Sequence, residues 1–434
     1  MARLKVLVVD SFAGRGTTRP RSQALGRQAE VMLHTLLADL DALAGVEVTT
    51  IAADPAPGRI AGMAEPMTGD PGAGAAHAVH GPAARPTAHA HIHGTRNPAD
   101  QPPGAAKGQA PRYATVHPAG RTGAFRKSHA DTSPTGYSIG YPTVQAAEQA
   151  PPYIAAEAVG LSLERAALQP AVSRFGVQFD ACLQAADAVW PLAFESAGAL
   201  EHLSREILRA RRILLGSIPG AVQVAGSKLK LAQVLASGGV ATAATYSPND
   251  AVPRDGGAWV VKPDDGAGCL HTMLFSDRAA ALAWIRANAA DGYVLQPFIP
   301  GRPGSLSLIC CDGAARVLSC NQERVAMRDN RFHVLGSVVN GLTDDDGTLA
   351  RLARQVAAAI PGLWGYVGVD FILTAHGAVV LDVNPRLTAA YAGLHASIDH
   401  NPAGLVLDLL SGTCAMPFPA PGTRRLVSVD IGAP

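Results

Sequence analysis

The chain has 434 residues, is 48% hydrophobic, and balances 36 Lys+Arg against 35 Asp+Glu for a formal net charge of +1. Without a cationic excess or a basic block it has no electrostatic footprint for nucleic acid or an anionic membrane surface. No run of about twenty apolar residues suited to crossing a bilayer occurs. Six scattered cysteines (Cys182, Cys269, Cys310, Cys311, Cys320, Cys414) form no Cys-x-x-Cys pair, so reduced thiols in a soluble, cytoplasmic protein are expected. The apolar run that opens the chain is too short for a secretory signal and ends on Asp10.

In chain order, 4–9 is an apolar strand, 22–43 has helical periodicity and 46–51 reads as a second strand. The texture then breaks. Residues 55–152 hold fifteen of the 32 prolines and seven of the 14 histidines, among Gly, Ala and Thr. Such a stretch buries too little apolar surface to offset its ordering entropy, so 56–152 is expected to be a disordered insertion. Its alternating His89, His91 and His93, with His77 and His80 nearby, are set aside as compositional. A helix at 172–186, a strand at 188–193, a helix at 196–212 and a short strand at 213–215 follow. Together, 1–55 and 153–221 predict a small open parallel α/β domain with helices over its sheet.

The second domain, 222–412, starts with a helix over 224–237 that stops at Gly238-Gly239. A strand at 259–262, a helix at 277–289 and strands at 293–296, 306–310 and 315–320 come next. A helix at 347–359 leads into a hairpin of 367–373 and 378–383, then a helix at 399–410. Residues 413–434 are a Pro-rich tail.

Three segments carry chemistry. The hairpin sets Asp370 beside Asp382 and Asn384 in otherwise apolar strands, where carboxylates are costly unless paired or metal-bound. Hard oxygen ligands next to Arg386 suit Mg²⁺ held against phosphate. The second segment is Lys262, at a strand end, followed by the loop Gly266-Ala267-Gly268. This loop can offer an ammonium and backbone N–H groups to a phosphate chain. Only six cations are lysine (Lys5, Lys107, Lys127, Lys228, Lys230, Lys262). A retained Lys therefore points to a slot for a compact charge, at Lys262 and at Lys228. The third segment is the strand end Gln296-Pro297-Phe298-Ile299, which can frame a purine: amides read its edge while Phe298 and Ile299 pack its face. Arg324 and Asn340 are further candidates for substrate or phosphate contact, and Arg324 reads equally as a solvated strand-end cation. Cys269 reads as a small packed thiol.

Taken together and in this order, these residues resemble the ATP-grasp carboxylate–amine ligases over about 222–410. Within that superfamily, 223–228, 295–298, 305–309, 362–370 and 384–388 are most similar to the branch that joins L-glutamate to tyramine in methanofuran biosynthesis. The 34–37 stretch and Glu195 carry the likeness into the N-terminal part. The resemblance implies an ATP-grasp fold, α/β and α+β, with two α+β lobes clasping ATP behind the small parallel domain. It implies ATP phosphates on Lys228, Lys262 and Gly266–Gly268, adenine at Gln296–Ile299, and two Mg²⁺, or Mn²⁺ in their place, on Asp370, Asp382 and Asn384. Arg386, Lys262 and Arg324 would be catalytic, with Arg386 stabilising an acyl-phosphate. The substrates would be amino-acid and amine small molecules, with tyrosine as another amine, and the enzyme is compatible with a homo-oligomer. Departures are Pro303 at a usual ribose-binding Glu, Gln296 at a hinge Glu, and Asp382 in place of the commoner Glu. The alternatives are a ligase for another acid and amine, and a nucleotide-binding regulator without turnover.

Overall fold

The computed structural model describes residues 3–11, 23–52, 177–251, 253, 257–290, 292–412 and 424–431. Strand β1 (Leu4–Asp10), helix α1 (Gln23–Asp41), β2 (Val46–Ala52), α2 (Val177–Ala185), β3 (Ala188–Leu192), α3 (Ala199–Arg209) and β4 (Ile213–Leu214) build the N-terminal module. Its four strands run parallel in the order β2-β1-β3-β4. Val6, Leu7, Val8 and Val9 are all buried, as a parallel strand covered on both faces requires. The 56–152 insertion, its histidines and the 172–176 start of the expected helix lie outside the described residues, as does most of the tail.

Helices α4 (Pro219–Ala225) and α5 (Lys228–Ser237) replace the single helix expected over 224–237. The break has a local cause. Ser227 is extended (φ −120°, ψ 116°), and its side chain accepts from the Lys230 N–H as an N-cap. Next come β5 (Trp259–Pro263), β6 (Met273–Phe275), α6 (Arg278–Ala287), β7 (Tyr293–Pro297) and β8 (Arg302–Cys311). Strand β9 (Ala314–Arg328) is far longer than the expected 315–320 and turns into β10 (Arg331–Val339). Asp329 and Asn330, both at positive φ (51° and 57°), make a tight hairpin that matches the strand twist. Helix α7 (Thr348–Ala359), β11 (Gly365–Thr374), β12 (Gly377–Asn384), α8 (Tyr391–Ile398), α9 (Pro402–Asp408) and β13 (Val427–Asp430) complete the chain. Pro402 opens a new helix, so the expected 399–410 helix begins late and α8 lies before it.

The second sheet has nine strands, in the order β12-β11-β8-β9-β10-β6-β5-β7 with β13 on β10. One face of β8 and β11 (Leu306, Leu308, Val367, Val369) packs with α5 and α7 residues in one core. Ile309 and Tyr366, from the other face, join Val6, Met32, Leu36 and Leu394 in a second core. That core is continuous between the N-terminal module and the large sheet. All described residues fall in one compact unit, and none of their helices is long and apolar enough to cross a membrane. Cys311 is disulfide-bonded, which corrects the expectation of reduced thiols throughout; Cys182, Cys269, Cys310 and Cys320 are free.

Candidate active site

Period-two alternation builds the floor of the site. Residues whose neighbours enter the apolar core point the other way and stand in register across four strands. Asp382 of β12 lies opposite Asp370 of β11, Asp370 opposite Ser305 of β8, and Ser305 opposite Asn321 of β9. The register shifts just after Asp370, between it and Phe371. Asp370 thereby faces Asp382, while Phe371 stays in the core. Above this floor lies a cavity of about 470 Å³, into which Lys228, Lys262, Asp370, Asp382, Asn384 and Arg386 all open. Six residues spread over 159 positions of sequence are thus brought to one place.

The phosphate side is held tightly. Lys228 Nζ donates to the Gly266 carbonyl at 2.7 Å and forms an ion pair with Asp382 Oδ2 at 3.2 Å. Asp264 accepts from the Leu229 N–H (2.9 Å) and caps the start of α5. Burial, reinforced by the nearby Lys228 charge, lowers the Lys262 ammonium to about 8. Gly266 and Gly268 line the cavity, whereas Ala267 is not part of its lining. Gly268 needs to be glycine: its φ is +62°, and a Cβ would stand 2.6 Å from Leu25 Cδ2 of α1. Beside it, burial pushes the Cys269 thiol up to about 11, which fits a packed, neutral thiol.

At the acidic end, Asn384 Nδ2 donates to Asp370 Oδ2 at 3.0 Å. Burial first, then the neighbouring Asp382, raises the Asp370 carboxyl to about 6. Two adjacent carboxylates face each other here, with Lys228 paired to Asp382 and the Arg386 and Lys262 charges acting on Asp370. Among the described residues no three His, Cys, Asp or Glu side chains gather as a metal cage. Two carboxylates and an amide oxygen instead fit Mg²⁺, which takes one or two protein carboxylates and completes its shell with phosphate and water.

Arg386 is the most constrained side chain here. Its Nε and Nη2 donate to Glu195 Oε2 at 3.1 and 3.0 Å, Nη2 also donates to Asn384 Oδ1 at 3.0 Å, and Nη1 donates to the Leu387 carbonyl at 2.9 Å. Its Cζ sits 4.8 Å from the Phe194 ring centroid. Glu195 comes from the loop after β3, and the same loop reaches the phosphate segment: Ser196 Oγ donates to the Asp265 carbonyl and Ala197 N–H to its carboxylate, both at 2.8 Å.

The far wall holds Gln296, Pro297, Phe298 and Ile299. Gln296 is buried with Nε2 donating to Thr245 Oγ1 at 2.8 Å. Phe298 stacks on Phe332, with centroids 6.5 Å apart and planes at 23°. Pro303 also lines the cavity.

Arg324 and Asn340 are placed elsewhere. Neither lines the cavity. On β9 the neighbouring Glu323 points into the cavity, so Arg324 faces away, where its guanidinium binds the Val429 carbonyl and Asp430 of β13. A strand alternates sides, and of these two neighbours the sequence reading favoured the outward one. Asn340 donates to Ser397 Oγ at 2.8 Å and serves the core. The residues it passed over are Glu323 and Phe332, and Glu195, noted only as a likeness, proves to hold Arg386.

Comparison with known proteins agrees with this architecture. A family model described as an ATP-grasp domain matches residues 225–390, and one described as a pre ATP-grasp 3 domain matches residues 160–222. The chain therefore carries an ATP-grasp domain behind a pre-ATP-grasp domain. Over 181 residues it is 29% identical to the tyramine–L-glutamate ligase of Methanocaldococcus jannaschii, a match covering 42% of this chain and 49% of that protein. It thus spans about half the length of the curated relative it matches. Among solved structures, an ATP-grasp superfamily protein from Archaeoglobus fulgidus is 24% identical with a TM-score of 0.43, over 58% of this chain and 79% of that one. L-amino acid ligase from Bacillus licheniformis is 17% identical with a TM-score of 0.44, over 52% and 58%.

Proposed function

We propose that the chain is an ATP-dependent carbon–nitrogen ligase that joins a carboxylate, L-glutamate, to a tyrosine-derived amine, tyramine or tyrosine, in the synthesis of a methanofuran-like coenzyme. The observation that carries the reading is the convergence in one cavity of Lys228 and Lys262 on one wall with Asp370, Asp382, Asn384 and Arg386 at the β11–β12 end of the same sheet. Similarity to the tyramine–L-glutamate ligase supports the choice of substrates.

The chemistry follows from the layout. Lys228, Lys262 and the Gly266–Gly268 loop hold the triphosphate in place against the sheet. The substrate carboxylate oxygen attacks the γ-phosphorus, the bond to the bridging oxygen breaks, and ADP leaves with an acyl-phosphate formed. The amine, once its ammonium form has lost a proton to water, attacks the acyl carbon through nitrogen; the bond to phosphate breaks, phosphate departs, and the nitrogen loses a second proton to give the amide. Asp370, Asp382 and Asn384 would hold Mg²⁺, which when bound neutralises charge on the phosphates. Most of the catalytic work is alignment and charge neutralisation, as phosphoryl transfer needs little covalent help from a protein. Arg386 reaches the acyl-phosphate only with the N–H that Glu195, Asn384 and Leu387 leave over, so it acts as a fixed cation more than a mobile finger.

The test is ADP release by purified protein given ATP, Mg²⁺, L-glutamate and either tyramine or tyrosine. Amine-dependent ADP is expected. Its absence with every acid and amine pair would refute the enzyme reading and leave a nucleotide-binding regulator. Turnover with another pair would keep the ligase and change its substrates.

A further inference from the structure

Glu323 has no part in the mechanism above, yet its carboxylate opens into the same cavity. It lies two residues beyond Asn321 on β9, on the same face, and three strands from Asp382. Ser305 Oγ donates to Glu323 Oε1 at 2.6 Å. Among the described residues no Lys, Arg or His forms an ion pair with it, since Lys228 is bound to Asp382, Arg386 to Glu195 and Arg324 to Asp430. A carboxylate withdrawn from water without an ion-pair partner is costly, and burial, then the Asp370 charge, raises the Glu323 carboxyl to about 7, so it favours a proton or a cation here.

The surroundings say which cation fits. Behind the wall runs a chain of hydroxyls and amides. Asn321 Nδ2 donates to Ser305 Oγ and Ser307 Oγ, each at 3.1 Å. Tyr366 Oη donates to Ser307 Oγ at 3.0 Å and lies 2.9 Å from Thr388 Oγ1. The chain begins and ends at the cavity, which Ser305, Glu323 and Thr388 all line. Gly368 makes the last link possible: a Cβ there would stand 2.4 Å from Thr388 Cγ2. The nearest other carboxylate, Asp370, is engaged by Asn384 on the metal side, which leaves Glu323 with hydroxyl oxygens, a set poorer in charge than a divalent metal collects. An ammonium, with three N–H donors and a single charge, matches it.

We propose that Glu323, together with Ser305, forms the subsite for the ammonium group of the amine substrate; this rests on the ligase reading above. It narrows the substrate class to amines that arrive protonated at neutral pH, such as an arylalkylamine or an α-amino acid. Neutral aromatic amines fall outside it.

The experiment compares wild type with Glu323→Gln, which keeps the side-chain size and an acceptor for Ser305. ATP binding by calorimetry serves as the fold control. In steady-state ADP release, the KM for tyramine or tyrosine is expected to rise about ten- to a hundredfold, the value of one lost charge-assisted hydrogen bond, with kcat and the KM for ATP changing less than about twofold. Glu323→Asp should recover part of the loss. If the wild type turns over with the amine and Glu323→Gln keeps the same amine KM, the subsite is overturned and the ligase stands. A parallel loss of ATP binding or a rise in the ATP KM would overturn it too, assigning Glu323 to the nucleotide. If the wild type gives no amine-dependent ADP, the ligase reading falls and takes the subsite with it.

Discussion

The two sheets use their residues in opposite ways. In the parallel sheet, β1 and β3 are buried on both faces, so these two strands leave no face for chemistry, and among the described residues the module reaches the site through α1 and the loop carrying Glu195. In the nine-stranded sheet the strands alternate. One face makes core, and the other sets Asp382, Asp370 and Ser305 toward the cavity in a register fixed by the backbone. A site on strand faces gains rigid spacing, whereas a loop contributes a single well-placed charge.

The largest effect should come from the sheet face itself. Asp382→Ala is expected to lower turnover by about a thousandfold or more while ATP still binds, because metal-assisted charge stabilisation is worth several kcal/mol. Unchanged turnover would remove Asp382 from the metal set. On the opposite wall, Lys262→Arg should cost about a hundredfold in kcat/KM although the charge is kept, since a planar fork does not occupy a point-charge slot and small misplacements are expensive. The loop's share is measured by Glu195→Ala. It strands a buried guanidinium and should cost about 3 kcal/mol of stability, read as a lower Tm, with turnover falling about tenfold. A Tm equal to that of the wild type would reduce the N-terminal module to scaffolding.

The smallest effect concerns pH. The folded-state value of about 6 for Asp370 lies above its ordinary 3.8. The folded protein therefore binds the proton more tightly than the unfolded chain does. Stability is greatest below about pH 4 for this group, falls as pH rises through 6, and stays reduced above it. Asp370→Asn should abolish this slope and raise apo-protein stability at pH 7 by roughly 2 kcal/mol while abolishing turnover. Chemical denaturation at pH 4 and pH 7 checks the sign. A destabilised variant would mean that the carboxylate pair is not strained.

How much of this could be read in advance depended on sequence distance. Asp370, Asp382 and Asn384 are a hairpin apart, and polar residues interrupting apolar alternation mark them directly. Lys262 came from a strand end before a glycine loop and Lys228 from a helix start, and the scarcity of lysine sharpened both. Glu323 was hidden because the expected strand stopped at 320. Carried on to 328, the same alternation puts 319, 321 and 323 on one side and 324 on the other. Phe332 depended on β10, whose Gly336 and His333 blur its pattern. The Glu195–Arg386 pair spans 191 residues, and no local rule connects two such positions. Short-range pattern carries strands and loops, but pairing across modules is a property of the packed chain.

That pair has a consequence for inheritance. Family boundaries cut the chain at residue 222, as if the two parts could be shuffled separately. Yet an Arg386 segment transplanted without its Glu195 loop would carry a buried charge with its main counter-ion missing, and the loop alone would carry the complement. Recombination at that seam is therefore expected to cost stability unless both halves travel together. The two residues should then change in concert or not at all among descendants of this gene.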